Sequence, residues 1–173
     1  MRQKFFVIRL VFRYYSSDFL KVLNQGKLNL YRIMTICVGN ICRSPLAEIL
    51  FKHYLSDRAD QFQISSAGIS ALVDHQAADY SILLAKENGL DLSHHRAKQL
   101  TADMIAHADL LLVMETRQQE KILECSPQST GKIMLLGKWD KFEIPDPYRK
   151  PKQAFIDAYY LIDRGVNSWI EKL

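Results

Sequence analysis

The 173-residue sequence predicts a doubly wound α/β domain, a four-stranded parallel sheet with helices on both faces. Three observations carry this. Residues 33–38, 110–114 and 133–136 are short apolar runs without alternation, the pattern of strands covered on both sides. Amphipathic helical patterns separate them. A composition of 48% hydrophobic and 24% charged residues is that of one ordinary globular core. In such a sheet a ligand is expected at the carboxyl ends of the strands.

The elements follow in order. In residues 1–27, Phe5, Ile8, Phe12, Tyr15, Phe19 and Val22 would form one stripe along a helix, with Arg9 and Arg13 beside it. Arg9 interrupts the stripe, so it suits neither a bilayer span nor a secretory segment. It reads as a basic amphipathic extension outside the core, either lying on an anionic membrane surface or dispensable. The dispensable reading is preferred, because a chain start near residues 28–31 suits the fold, and the core is placed at 28–173. The strand at 33–38 stops at Gly39-Asn40, and a helix opens at Pro45 with Leu46, Ile49 and Leu50 on one face and Ser44 placed to cap it. A second strand is expected at 62–66 and a helix at 77–88, ended by Gly89, with Asp79 as a cap or anchor. Beyond the strand at 110–114 come a helix at 116–124, the strand at 133–136, and a closing helix carrying Phe155, Ala158, Tyr159, Ile162, Val166 and Trp169.

The net charge of +4 resides in the extension, where Arg2, Lys4, Arg9, Arg13, Lys21 and Lys27 oppose Asp18, so the body nets −1. Such a body is no nucleic-acid surface. Three cysteines, Cys37, Cys42 and Cys125, are an odd set unlike a secreted disulfide framework, and a reducing, cytoplasmic compartment is expected. His94 and His95 with Cys37 and Cys42 lack the paired spacing of a zinc site, so no metal is expected.

The chemistry concentrates in the loop Cys37-Val38-Gly39-Asn40-Ile41-Cys42-Arg43-Ser44-Pro45. A loop from a strand end into a helix start turns successive amide N–H groups toward one point, where the helix terminus adds positive potential. Such a cradle holds a phosphate, and the same field favours a thiolate at Cys37. Arg43 is its one cation, and its planar fork can grip two phosphoryl oxygens. Ser44 can donate to the sulfur. The loop has no Gly-Lys-Ser/Thr, which excludes an ATPase or GTPase cradle. A thiolate attacking a phosphoester also needs a group to protonate the leaving oxygen and later activate water. Asp146, in the Pro-stiffened Ile144-Pro145-Asp146-Pro147-Tyr148, is the candidate, with a plain turn as its competing reading.

Together the loop, continuing Leu46-Ala47-Glu48, and the late Asp146-Pro147-Tyr148 resemble the low molecular weight protein tyrosine phosphatases. Ser65-Ser66-Ala67-Gly68, His95-Arg96-Ala97-Lys98-Gln99-Leu100-Thr101, and Ala108 through Glu115 agree, and the resemblance covers residues 30–173. It implies a phosphatase I-like fold, Cys37 as nucleophile, Arg43 as phosphate clamp and Asp146 as acid and base. It further implies a substrate cradle of Val38, Gly39, Asn40, Ile41, Cys42 and Ser44, a supporting polar network of Asn40, Ser44, Ser66 and His95, and no cofactor or metal. Cys42 would serve as redox partner to Cys37, its other reading being a small buried hydrophobe.

The branch resembled is bacterial and linked to capsule or exopolysaccharide synthesis. Leu72 stands where animal members carry a pocket-wall Trp, Tyr148 would form the other wall, and Arg149-Lys150 follows it. The implied partner is a phosphotyrosine protein, a membrane-bound tyrosine kinase among the candidates. Phosphoarginine phosphatases of this fold carry Thr where Ile41 stands, and the bulkier Ile suits an aryl substrate. Arsenate reduction needs a downstream cysteine pair, and only Cys125 is present. A silenced phosphotyrosine-binding or redox-sensing module is the non-enzymatic alternative.

Overall fold

The apolar runs form the centre of the sheet. The computed structural model describes residues 30–173, and the stripe expected in residues 1–27 lies outside them. Strands β1 (Tyr31–Cys37), β2 (Phe62–Gly68), β3 (Leu110–Val113) and β4 (Ile133–Leu135) form one parallel sheet in the order β2-β1-β3-β4. Helices α1 (Arg43–Tyr54), α2 (Asp79–Glu87), α3 (Ala102–His107), α4 (Thr116–Cys125) and α5 (Lys152–Ile170) flank it.

Side chains alternate across the pleat, so each buried strand feeds two cores. Ile33, Leu110 and Leu112 pack with Leu46, Leu50 and Phe51 of α1, Leu84 of α2, and Phe155, Ile162 and Trp169 of α5. On the other face, Met34, Ile36, Leu111, Val113 and Ile133 meet Ile105 of α3 and Ile122 of α4. Burying each such Leu, Ile or Phe contributes about 1.5–3 kcal/mol, so a non-alternating run is stable here only because both faces are covered.

The expected boundaries shift in several places. The first helix begins at Arg43, two residues before Pro45, and its cap is Cys42 with no side-chain hydrogen bond. Ser44 is therefore not a cap, its hydroxyl being used inside the loop. Asp79 is likewise the first residue of α2 rather than its cap, which is Ala78. Gly89 does follow that helix at φ 75°, a conformation suited to glycine. Strand β2 runs on to Gly68, because its ladder with β1 pairs Cys37 with Gly68. Helix α3, unanticipated, is six residues capped by Thr101, whose Oγ1 accepts from Met104 N.

From β1 the chain goes to one neighbour, β2, then crosses to the other, β3. The carboxyl ends of β1 and β3 therefore flank a topological switch point, where a crevice opens.

Candidate active site

At that crevice the chain leaves β1 and turns into α1. The carbonyls of Cys37, Val38, Gly39 and Ile41 accept from the amides of Ile69, Ser70, Leu72 and Ala78 at 2.8–3.0 Å. Those of Asn40 and Cys42 face His95 Nε2 at 2.7 Å and Ser81 Oγ at 3.4 Å. With the carbonyls held outward, the amides are directed inward. Among the described residues no turn, loop or cap hydrogen bond uses the N–H of Gly39, Ile41, Cys42 or Arg43. A bowl of free amides at a helix start is an anion site.

Asn40 fixes the bend. Its φ of 55° lies in the left-handed region that Asn tolerates. It is fully buried and its amide is satisfied on every side: Nδ2 donates to Ser44 Oγ at 2.8 Å and Ser66 Oγ at 2.9 Å, and Oδ1 accepts from Lys98 N at 2.8 Å. Since Asn40 donates to Ser44 Oγ, the serine's own proton is available to Cys37 Sγ, 3.0 Å away. Asn40 N donates to the same sulfur at 3.2 Å. Ser44, Ser66, Asn40 and His95 thus form one network behind the nucleophile candidate. Burial lowers the pKa of His95, against the pull of its bond to Asn40 O and the Glu48 charge. The neutral ring suits a single Nε2–H donated to that carbonyl.

Arg43 is 1% exposed. Its Nη1 donates to Glu115 and to Ile144 O at 2.9 Å, while Nη2 lies 2.8 Å from Asp146 Oδ2. Its Nε has no partner, the one buried side-chain nitrogen or oxygen so placed among the described residues. Nη1 is therefore anchored, and the Nε–Nη2 edge, half of it unsatisfied, remains for a two-oxygen acceptor. Burial raises the pKa of Glu115, but hydrogen bonds from Arg43 and Arg117 outweigh it and hold the carboxyl below its usual range. Burial, then the charges of Cys37 and Asp146, push the Cys42 thiol up to about 12 against the pull of Arg43.

A cavity of about 320 Å³ stands over the bowl. Cys37, Val38, Gly39, Ile41, Cys42, Arg43, Leu72, Asp146 and Tyr148 all line it, so the structure gathers the sequence candidates at one place. Asn40, Ser44, Ser66 and His95 lie behind it. Leu72 and Tyr148 are 36% and 43% exposed, apolar walls at the mouth.

Two residues escaped the sequence reading. Glu115, directly past β3, anchors Arg43 across 72 residues; it lies in the segment 108–115 that matches the family, but as a carboxylate ending a buried run it shows no role of its own in the sequence. Gly68 is the second: a Cβ there would lie 2.5 Å from Val38 O and 3.0 Å from Asn40 N, so only glycine lets β2 pass beneath the loop.

Fold and site define a class: an α/β protein whose cysteine and buried guanidinium share one anion-binding loop at the switch point of a parallel sheet. The chain belongs to the low molecular weight phosphotyrosine protein phosphatase family, whose model matches residues 32–173, and is thus a hydrolase. It is 40% identical over 141 residues to the probable low molecular weight protein-tyrosine-phosphatase EpsP of Ralstonia nicotianae, covering 82% of this chain and 94% of that one. Its structure resembles Vibrio vulnificus Wzb, solved in complex with benzylphosphonate (TM-score 0.78, 40% identity, 83% of this chain, 99% of the other). It also resembles the YwlE arginine phosphatase of Geobacillus stearothermophilus (TM-score 0.75, 28% identity, 82% and 92%).

Proposed function

We propose that this chain hydrolyses protein phosphotyrosine through a phosphocysteine intermediate. The observation that carries the reading is the Arg43 fork: buried, anchored at Nη1 and unsatisfied at Nε, lining one cavity with a sulfur that accepts from Asn40 N and stands 3.0 Å from Ser44 Oγ. A phosphoryl dianion entering the bowl takes the amides and the Nε–Nη2 edge, displacing Asp146 from Nη2. The freed carboxyl is then the group placed to serve as general acid at the tyrosyl oxygen. Cys37 Sγ attacks phosphorus in line, the bond to the tyrosyl oxygen breaks, and Asp146 gives that oxygen its proton. The same carboxylate then takes a proton from water, whose oxygen displaces sulfur and releases phosphate. Arg43 and the amides hold the equatorial oxygens throughout, and Ser44 donates to the leaving thiolate.

The aryl preference is supported by the walls Leu72 and Tyr148, by Ile41, and by the relative's complex with benzylphosphonate, whose phosphonate is joined to an aromatic ring through one methylene. The likeness to an arginine phosphatase favours phosphoarginine as second reading. A panel of phosphotyrosine, phosphoserine and phosphoarginine peptides tests both. Phosphotyrosine is expected to lead in kcat/KM by at least about a hundredfold, or roughly 3 kcal/mol of transition-state discrimination; a lead for phosphoarginine sinks the reading.

The proposed partner is a bacterial tyrosine kinase of polysaccharide synthesis, on the resemblance of segment 146–150, and the proposed compartment is cytoplasmic. Among the described residues no helix is long and apolar enough to cross a membrane. We also propose that Cys42 protects Cys37. Peroxide would convert the Cys37 thiolate to sulfenic acid with release of hydroxide, and the Cys42 thiol would then condense with it to a disulfide and water. The sulfenic acid is neutral, so the Cys37 charge that helps raise Cys42 is gone at that moment. Cys42→Ser is expected to lose recovery by dithiothreitol after peroxide while keeping most of its initial activity; undiminished recovery refutes the role.

A further inference from the structure

A second hollow, of about 450 Å³, opens beside the first. Val38, Ser70 and Asp146 line both, so the two share a wall. On the far side of the second, α4 presents Arg117 and Lys121, four residues apart on one helix face and both exposed.

The carboxylates around this place each have a partner, Glu143 accepting from the N–H of Thr116 at 3.0 Å and from its hydroxyl. Asp146, on the shared wall, is engaged by Arg43 Nη2 at 2.8 Å. Glu115 is engaged by Arg43 and by Arg117 Nη2, the latter at 2.7 Å, which neutralises much of Arg117. Lys121 makes no ion pair among the described residues and lines the hollow as its uncompensated cation. Val38 and Ile69 give the same hollow an apolar side.

We infer that this groove is a substrate subsite for an acidic side chain next to the phosphotyrosine, read by Lys121. The inference rests on the phosphotyrosine reading above. A phosphotyrosine that fills the deep bowl leaves its backbone at the mouth, and an extended chain advances about 3.3 Å per residue. The adjoining residues therefore lie over the surface next to the bowl, and the groove is a depression there with a free cation. The methylenes of a Glu pack on Val38 and Ile69 while its carboxylate meets the Lys121 ammonium. Because the pair is exposed, its contribution is modest and screened by salt.

The test is kcat/KM at low ionic strength for phosphotyrosine peptides that differ only by Glu, Gln or Lys beside the phosphotyrosine, with wild type and Lys121→Glu. Wild type is expected to favour Glu over Lys by about three- to fivefold, the difference shrinking as salt is added, and Lys121→Glu to reverse the order. Turnover of p-nitrophenyl phosphate, too small to reach the groove, reports that the variant is folded. Equal values for the peptides in wild type, or an unchanged order in Lys121→Glu, overturn the subsite and leave the phosphotyrosine reading standing. Release of phosphate from none of them by the wild type overturns both.

Discussion

Asn40 joins every part of the site behind the bowl. Its side chain aligns Ser44 on the sulfur, and its carbonyl rests on His95, so the loop's shape depends on a ring that burial holds neutral. The pH consequence follows from the direction of that shift. His95 has a folded pKa below its ordinary 6.5, so between the two values the unfolded chain binds the proton more readily. The stability this group contributes is complete above about 6.5 and is lost as pH falls through the lower, folded value. Urea unfolding from pH 7.5 to 5 is expected to show a decline that His95→Gln makes shallower. An equal decline in both proteins would locate it in other groups. Arg43 illustrates a different residue-scale point: with Glu115 and Ile144 O on one nitrogen, its fork is aligned before any phosphate arrives, and little rotamer freedom remains to be lost on binding.

At the level of elements, the site depends on how closely β2 runs beneath the loop. Alanine at Gly68 would set its Cβ against Val38 O at 2.5 Å, backbone that has no rotamer by which to yield. Gly68→Ala is expected to cost about 1–3 kcal/mol in urea unfolding and at least tenfold in kcat/KM, with far-ultraviolet circular dichroism unchanged. Wild-type kinetics in that variant would show the loop to be tolerant. These elements also show what a sequence can reveal. The strands at 110–114 and 133–136 were readable because a run buried on both faces is apolar at every position, a local signal. The loop from Cys37 to Pro45 was readable for the same reason, since its amides, cation and thiol are neighbours in the chain. Helix α3 was not, because six residues with Ile105 as their one buried residue leave too little periodicity. Ser44 looked like a cap because Ser before Pro usually is one, and the demand of Cys37 for a donor overrode that local preference. Glu115 and Gly68 act through partners distant in sequence, which no local pattern reports.

Over the whole molecule, the proposed catalysis is assigned to the sheet's switch point, where the end of β1, the loop after it and the segment at Asp146 line one cavity within residues 31–173. None of the catalytic or binding candidates that the sequence offers falls in the basic segment 1–27. Deleting residues 1–27 is therefore expected to change kcat/KM for p-nitrophenyl phosphate by less than about twofold, within the range of surface changes remote from a site. A tenfold loss would make the extension part of the enzyme. Trapping the covalent intermediate tests the central claim most directly. Asp146→Asn is mixed with radiolabelled p-nitrophenyl phosphate, whose good leaving group needs little protonation, and quenched in acid within milliseconds. Label on Cys37, approaching about one phosphate per chain and absent from Cys37→Ser, is the expected result. Label on any other residue, or wild-type turnover by Cys37→Ser, would contradict it.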